Sequence, residues 1–314
     1  MLPLLDDYLL NLQANKYSQK TIYNYERDLK VFDRFIVDSN INFEMLNKKT
    51  IAYYKAYLVS RDRKTAVMSE HGESELDSSS VNRMLSAIRS YLRYLIDIDH
   101  PCPLPPEAIK LTKSGRKHPQ VAELGDLVRL IEAPSSLESN HKVALRNRAM
   151  LEVLFATGMR ISELCGLNRT QIDDSGRIFI TGKGKKQRFV YLTPRAKQHL
   201  DVYLSGRKDA AQALFVPYSG RNVIKPKRRI STNYLQDRIK RYREQLKINI
   251  PTSAHSLRHG FATYLAEQGA NPAAIQILLG HESLNTTTRY VHASDKYAEE
   301  THKRFHPLAK VAGS

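Results

Sequence analysis

The chain has 314 residues, room for two ordinary domains, and its 49 Lys and Arg against 32 Asp and Glu give a formal net charge of +17. That imbalance sets aside the balanced surface of a typical metabolic enzyme and points to a polyanionic partner, nucleic acid first, because the cations are spread through periodic segments rather than gathered in a tail. Two cysteines, Cys102 and Cys165, exclude a disulfide framework and a four-thiolate zinc site. No stretch of about 18 apolar residues is present to span a bilayer. The opening MLPLLDDYLLNLQANKY carries acids rather than a cationic segment ahead of an apolar run, so the expectation is a cytoplasmic protein without a membrane partner.

In SQKTIYNYERDLKVFDRFI, Ser18 is placed to cap a helix whose Ile22, Tyr25, Leu29, Phe32 and Ile36 recur at helical spacing. SSSVNRMLSAIRSYLRYLI repeats the scheme, with Ser80 as the expected cap and Val81, Leu85, Ile88, Leu92 and Leu95 as the buried stripe. Between them MLNKKTIAYYKAYL predicts a shorter helix and RDRKTAVMSEHGESELDSS a polar loop. The segment HPCPLPPEAIKLTKSGRKHPQV, rich in proline and charge and without a period, reads as a linker. A boundary near residue 110 divides the chain into a helical domain, 1–110, and a second domain, 111–314.

Beyond the linker, AELGDLVRLIEA and HKVALRNRAMLEVLFATGMRISELCGL are helical, the latter broken at TGM, where Gly158 ends one helix and Ser162 helps to start the next. GRIFITGKGKKQRFVYLT predicts a β-hairpin, residues 177–181 and 188–192 flanking a Gly and Lys turn. Thr193 and Pro194 open a further helix in cap-then-proline order, and STNYLQDRIKRYREQLK, HSLRHGFATYLAEQG and PAAIQILLG follow as helices. The fold class expected is mainly α with one small β-hairpin, in two domains.

In HSLRH, His255 and His259 stand four residues apart with Arg258 between them. A zinc hydrolase of the HExxH kind needs a glutamate where Ser256 sits, and Arg258 beside a divalent cation is costly unless an anion intervenes. A guanidinium suits a tetrahedral oxyanion better, through two parallel charge-assisted hydrogen bonds. Arg160 in ATGMRISEL, Lys183 in GKGKKQR, His281 in LLGH and Tyr290 in TTTRYVH accompany it. Each alone has an ordinary reading: a solvated helix face, a solvated turn, one packed aromatic among 17 tyrosines. KPKRRISTNYLQDRIKRYREQLK concentrates Lys225, Lys227, Arg228, Arg229, Arg238, Lys240, Arg241 and Arg243, which reads as a phosphate-tracking helix, with a solvated basic face as the alternative.

Taken in order and spacing, these motifs resemble the tyrosine recombinase (phage integrase) family, in particular its compact bacterial Xer-like members. The resemblance spans the chain, its specific motifs lying in the second domain. It implies a helical core-binding domain and a mixed α/β catalytic domain closing as a clamp on DNA. It implies Arg160, Lys183, His255, Arg258, His281 and the nucleophile Tyr290 as the catalytic set, with Glu163 bracing Arg160 and His259 mainly structural. Lys185, Lys186 and Arg188 join the basic residues named above as expected DNA contacts. Tyr297 is a rival nucleophile on chemistry alone; the family spacing favours Tyr290.

The implied activity is site-specific recombination through a 3′-phosphotyrosine and a Holliday junction, by a homotetramer on two double-stranded DNA sites. The tail KYAEETHKRFHPLAK resembles a segment exchanged between protomers. Two arginines neutralising a phosphate would do the work of a divalent metal, so neither metal nor other cofactor is expected. One phosphoester replaces another, which agrees with the lack of a GxxxxGKS or GxxxxGKT loop. Lys183 is the expected acid for the leaving oxygen, and His255 the acceptor of the tyrosine proton with His281 on the phosphate, two roles that the sequence leaves exchangeable. Left open are the target sequence, chromosome-dimer resolution against integration or inversion of a mobile element, and a second recombinase or DNA translocase as partner. The competing readings are a monomeric type IB topoisomerase-like enzyme and a DNA-binding protein without catalysis.

Overall fold

Ser18 accepts a hydrogen bond from the Thr21 N–H at 3.1 Å and so starts the long second helix of the first unit where the sequence places it. The computed structural model describes residues 1–60, 76–113, 122–182, 187–220, 223–224, 228–280 and 294–308. Most of the expected polar loop lies outside them. The chain divides into two units, Met1–Lys117 and His118–Ser314.

The first unit holds α1 (Leu5–Ala14), α2 (Gln19–Asp38), α3 (Lys48–Val59) and α4 (Ser78–Asp97). Leu29, Phe32 and Ile36 of α2 meet Val81, Leu85, Ile88, Leu92 and Leu95 of α4 in one apolar core, all fully buried. Ser80 does not cap α4. Asp77 does, its Oδ1 accepting the Ser80 N–H at 2.9 Å, since a carboxylate also answers the positive end of the helix dipole. The segment expected to be a linker belongs to this unit as far as it is described. Leu104 and Ile109 enter the core on either side of a short turn, Pro106–Ala108, and the Thr112 N–H reaches Asn82 Oδ1 at 2.8 Å. Irregular backbone held by two apolar side chains and one amide has no period for a sequence to show.

The second unit contains α5 (Leu124–Leu137), α6 (His141–Thr157), α7 (Ile161–Gly166), β1 (Arg177–Thr181), β2 (Gln187–Tyr191), α8 (Pro194–Ser205), α9 (Thr232–Gln245), α10 (Ala254–Glu267), α11 (Pro272–Leu279) and α12 (Ser294–Phe305). Helix α6 is its axis, with every residue from 146 to 157 buried, packed among α5, α8 and α10. A helix enclosed on all sides has no polar face to display, so its charges are paired internally: Glu152 accepts from Arg148 Nε at 2.9 Å and from Arg195 Nε at 2.8 Å. The hairpin is antiparallel, Arg177 opposite Tyr191 and Thr181 opposite Gln187, its second strand beginning and ending one residue earlier than expected. Thr193 caps α8 ahead of Pro194, as read.

Gly158 ends α6 at φ +59°, and a Cβ there would lie 2.4 Å from the Phe261 ring. Only glycine fits both the angle and the space. Ser162 lies in the first turn of α7; Arg160 is the N-cap, and Glu163 reaches back to accept its N–H at 2.8 Å. The tail helix α12 packs on α11, β2 and α10 of its own chain, with the His306 ring at 3.2 Å from the Phe155 carbonyl and His302 on that of Ala156. Among the described residues no helix is long and apolar enough to cross a membrane.

Candidate active site

The break after Gly158 aims the Arg160 side chain across the end of α11. Its Nη1 donates to Glu163 Oε1 at 3.1 Å and its Nη2 to the Gly280 carbonyl at 3.3 Å. Arg258, on the buried face of α10, donates Nη1 to the Gly158 carbonyl at 2.8 Å and Nη2 to that of Leu279 at 2.5 Å. Two arginines from segments a hundred residues apart are thus held by main-chain oxygens, with Glu163 pairing Arg160 alone of the two. Arg188 completes the group, donating Nη1 and Nη2 to the two oxygens of Glu163 at 3.1 and 2.8 Å.

Two of the three guanidinium groups share the Glu163 carboxylate, and the titration of the members follows. Burial pushes the Glu163 carboxyl up, but the hydrogen bonds and charges of Arg188 and Arg160 outweigh it and hold it below the usual carboxylate range. Burial, then the repulsion of Arg160 and Arg188, brings Arg258 down to about 10. Such a site is short of negative charge and chemically suited to an oxyanion.

His255 stands one turn ahead of His259 on α10, their Nε2 atoms 2.9 Å apart and their rings perpendicular. One imidazole must donate where the other accepts, so at least one ring nitrogen of the pair is unprotonated. Burial lowers the pKa of His255 first, and His259, Arg258 and Arg160 lower it further. It is therefore neutral near pH 7 and able to take a proton. Among the described residues no group of three His, Cys, Asp or Glu converges as metal ligands do.

Arg160, Glu163, His255, Arg258 and His259 are brought together. Lys183, His281 and Tyr290 lie outside the described residues, as do Lys185, Lys186, Lys225 and Lys227. The chain enters His281 directly from Gly280, whose carbonyl is on Arg160.

Several expected DNA contacts are placed otherwise. The Arg188 side chain is 8% exposed and committed to Glu163, so it presents no charge to a duplex. Arg229 clasps the carbonyls of Cys165 and Leu167 and Asn168 Oδ1, fixing the chain after α7. Arg238 lies over the Tyr234 ring beside Glu138, and Arg243 pairs with Glu244. Lys240 and Arg241 are exposed and Arg228 half so. The opposite face of α9 is spent on Leu235, Ile239 and Tyr242, which are buried. Sequence reasoning missed the bracing role of Arg188, although a signal existed: its register opposite Ile180 puts it on the core face of the hairpin with Ile178 and Val190.

The profile of the phage integrase family matches residues 123–297. The chain belongs to that family. The N-terminal SAM-like domain of phage integrases matches residues 5–98. Tyrosine recombinase XerD of Shewanella oneidensis is 31% identical over 310 residues, covering 97% of both chains. Tyrosine recombinase XerC of Pediococcus pentosaceus is 32% identical over 308 residues, covering 95% of both. With relatives this similar along its length, the protein is a site-specific recombinase of the tyrosine class. Its fold is that of the lambda integrase tetramer bound to a Holliday junction, at TM-score 0.67 and 19% identity, covering 90% of this chain and 77% of that one. It is also that of the XerH recombinase in a post-cleavage complex, at TM-score 0.64 and 23% identity, covering 90% and 79%.

Proposed function

We propose that this recombinase transfers DNA strands at a double-stranded target site by using Arg160 and Arg258 to hold the non-bridging oxygens of one phosphodiester while Tyr290 attacks its phosphorus. The convergence of two arginines with one neutral histidine, short of negative charge, is what supports the reading. A phosphate under attack gains charge as five oxygens gather on it, and pre-placed guanidinium groups stabilise that charge without reorganising. As the Tyr290 oxygen bonds to phosphorus, the bond to the 5′ oxygen breaks, leaving a 3′-phosphotyrosine and, with a proton from Lys183, a 5′ hydroxyl. The phenol proton, costly to remove at a free pKa near 10, passes to His255; His281 completes the phosphate cradle. Glu163 holds Arg160, and His259 holds His255 through the ring-to-ring hydrogen bond. The reverse attack by a 5′ hydroxyl of a second site rejoins the strands without ATP.

The working assembly is a homotetramer on two sites, its strands exchanged in pairs through a four-way junction, with both domains of each protomer gripping the duplex and α12 able to dock on a neighbour as it docks here on its own chain. The place of action is the cytoplasm. Exposed Lys240 and Arg241 serve the phosphate backbone. Relatives named as recombinases do not favour the relaxing-enzyme alternative or a protein without catalysis.

Strand exchange between two labelled DNA sites tests this. It is expected to proceed in EDTA and to stop in Tyr290→Phe with duplex binding intact. Activity lost to EDTA and restored by zinc or magnesium contradicts the metal-free chemistry, and a product that forms only on adding a second recombinase or a translocase assigns that partner a part.

A further inference from the structure

Three consecutive carbonyl oxygens at the end of α11 each accept one guanidinium. Leu278 takes Arg188 Nε at 2.9 Å, Leu279 takes Arg258 Nη2 at 2.5 Å, and Gly280 takes Arg160 Nη2 at 3.3 Å. The carbonyls just before them, of Gln276 and Ile277, accept the Gly280 N–H at 2.8 and 3.1 Å. The last carbonyls of a helix have no partner within it and carry the negative end of its dipole, so this terminus is neutralised by three arginines in register.

Two of the three are the phosphate ligands proposed above. The third has no free face. Arg188 spends Nε on Leu278 and both terminal nitrogens on Glu163, the carboxylate that holds Arg160 by its N–H at 2.8 Å and its Nη1 at 3.1 Å. Gly280 is shaped around it: at φ +65° a Cβ would fall 2.9 Å from Arg188 Nη1. Arg188 also sits on β2, five residues beyond Lys183 in the chain.

We propose that Arg188 is a positioning residue, fixing the end of α11, from which His281 follows, against the Glu163-braced Arg160, and tying the hairpin that carries Lys183 to the same point. It acts without touching DNA. This deepens the reading of Arg160, Arg258 and Tyr290 as catalytic and rests on it. A planar fork with three donors in fixed directions is what the contacts require, so a lysine, with the same charge on one nitrogen, cannot substitute.

The test measures single-turnover cleavage of a nicked suicide substrate at saturating protein, the Kd for duplex and its salt dependence, and the melting temperature, for Arg188→Lys, Arg188→Gln, Glu163→Gln and Arg188→Lys with Glu163→Gln. The expected result is a cleavage rate lower by about 10- to 100-fold, the scale of supporting-residue losses at active sites. Kd and its salt slope stay as in the unaltered protein. The melting temperature falls, because each single variant breaks a buried pair from one side, but the rate loss does not scale with that fall. The double variant is no slower than the worse single, since both remove the Arg188–Glu163 contact. Gly280→Ala, which leaves Arg188 in place but crowds it, is expected to slow cleavage likewise. Weaker binding with a shallower salt slope and an unchanged saturated rate overturns the proposal in favour of a phosphate contact. An unchanged rate, or a rate loss that tracks a melting loss across both Arg188 variants, also overturns it. Tyr290→Phe runs alongside: an adduct there brings down the catalytic reading itself, whereas an inactive Tyr290→Phe with fully active Arg188 variants brings down this inference alone.

Discussion

Among the described residues the helical unit buries one charged side chain, Asp28, partnered by Arg27 and Arg83, inside a core otherwise made of aromatic rings and aliphatic stripes. The catalytic unit buries Arg146, Arg148, Glu152, Arg195 and Arg258, and besides them His302 on α12 and His306 just after it. The first is built as apolar packing builds a platform: α2 and α4 turn stripes inward, and volume decides how well they fit. In the second, charge is taken out of water and repaid by partners at defined distances, a poor route to stability and a good one to fixed positions. The unit proposed to handle a phosphate is the one that invests in geometry.

If that contrast holds, the two units respond to opposite insults. Glu152→Ala strips Arg148 and Arg195 of the buried one of the two carboxylates they share, leaving the more exposed Glu132, and breaking a buried pair from one side costs about 3–5 kcal/mol. Hydrogen exchange read by mass spectrometry, which separates the units by peptide, should show protection lost across α6 and α8 and unchanged across α4. Leu85→Ala should do the reverse: a cavity in the first core costs about 3 kcal/mol, and the loss should stay within α2 and α4. Equal loss in both units for either variant would break the comparison.

Acid sharpens it. Burial holds His302 neutral, down to about 4, and His306 well below its usual range. An unfolded histidine takes its proton near 6.5, so the stability these groups leave intact at neutral pH is lost as pH falls below that value. His302 alone removes about 2 kcal/mol from the catalytic unit between pH 7 and pH 5, at about 1.4 kcal/mol per pKa unit. Thermal unfolding at the two pH values checks it: the catalytic transition should drop, the helical one should hold, and His302→Gln should flatten the difference.

Much of this was legible beforehand. Stripes such as Leu85, Ile88 and Leu92 announce a face because each residue's preference for the interior is its own, independent of partners. The ATGMRISEL break, the hairpin and the HSLRH helix could be read for the same reason, being local. What failed was the destination of charges. Arg188 and Arg229 look like any basic residue in a basic stretch, and their partners arrive from 25 to 90 and from 61 to 64 positions away. Ser80 lost its cap to Asp77, a close rival that only geometry could choose. Leu104 and Ile109 hid in a segment whose prolines and charges spoke for a linker.

The central claim is that an arginine-lined pocket hands a DNA phosphate to one phenol, and the most direct measurement is to digest the covalent complex formed on a nicked suicide substrate in EDTA and locate the nucleotide remnant by mass spectrometry. The account predicts the remnant on the peptide containing Tyr290, attached through a 3′ phosphate, and no adduct from Tyr290→Phe. A remnant on Tyr297 or any other residue, or an adduct that survives Tyr290→Phe, contradicts it.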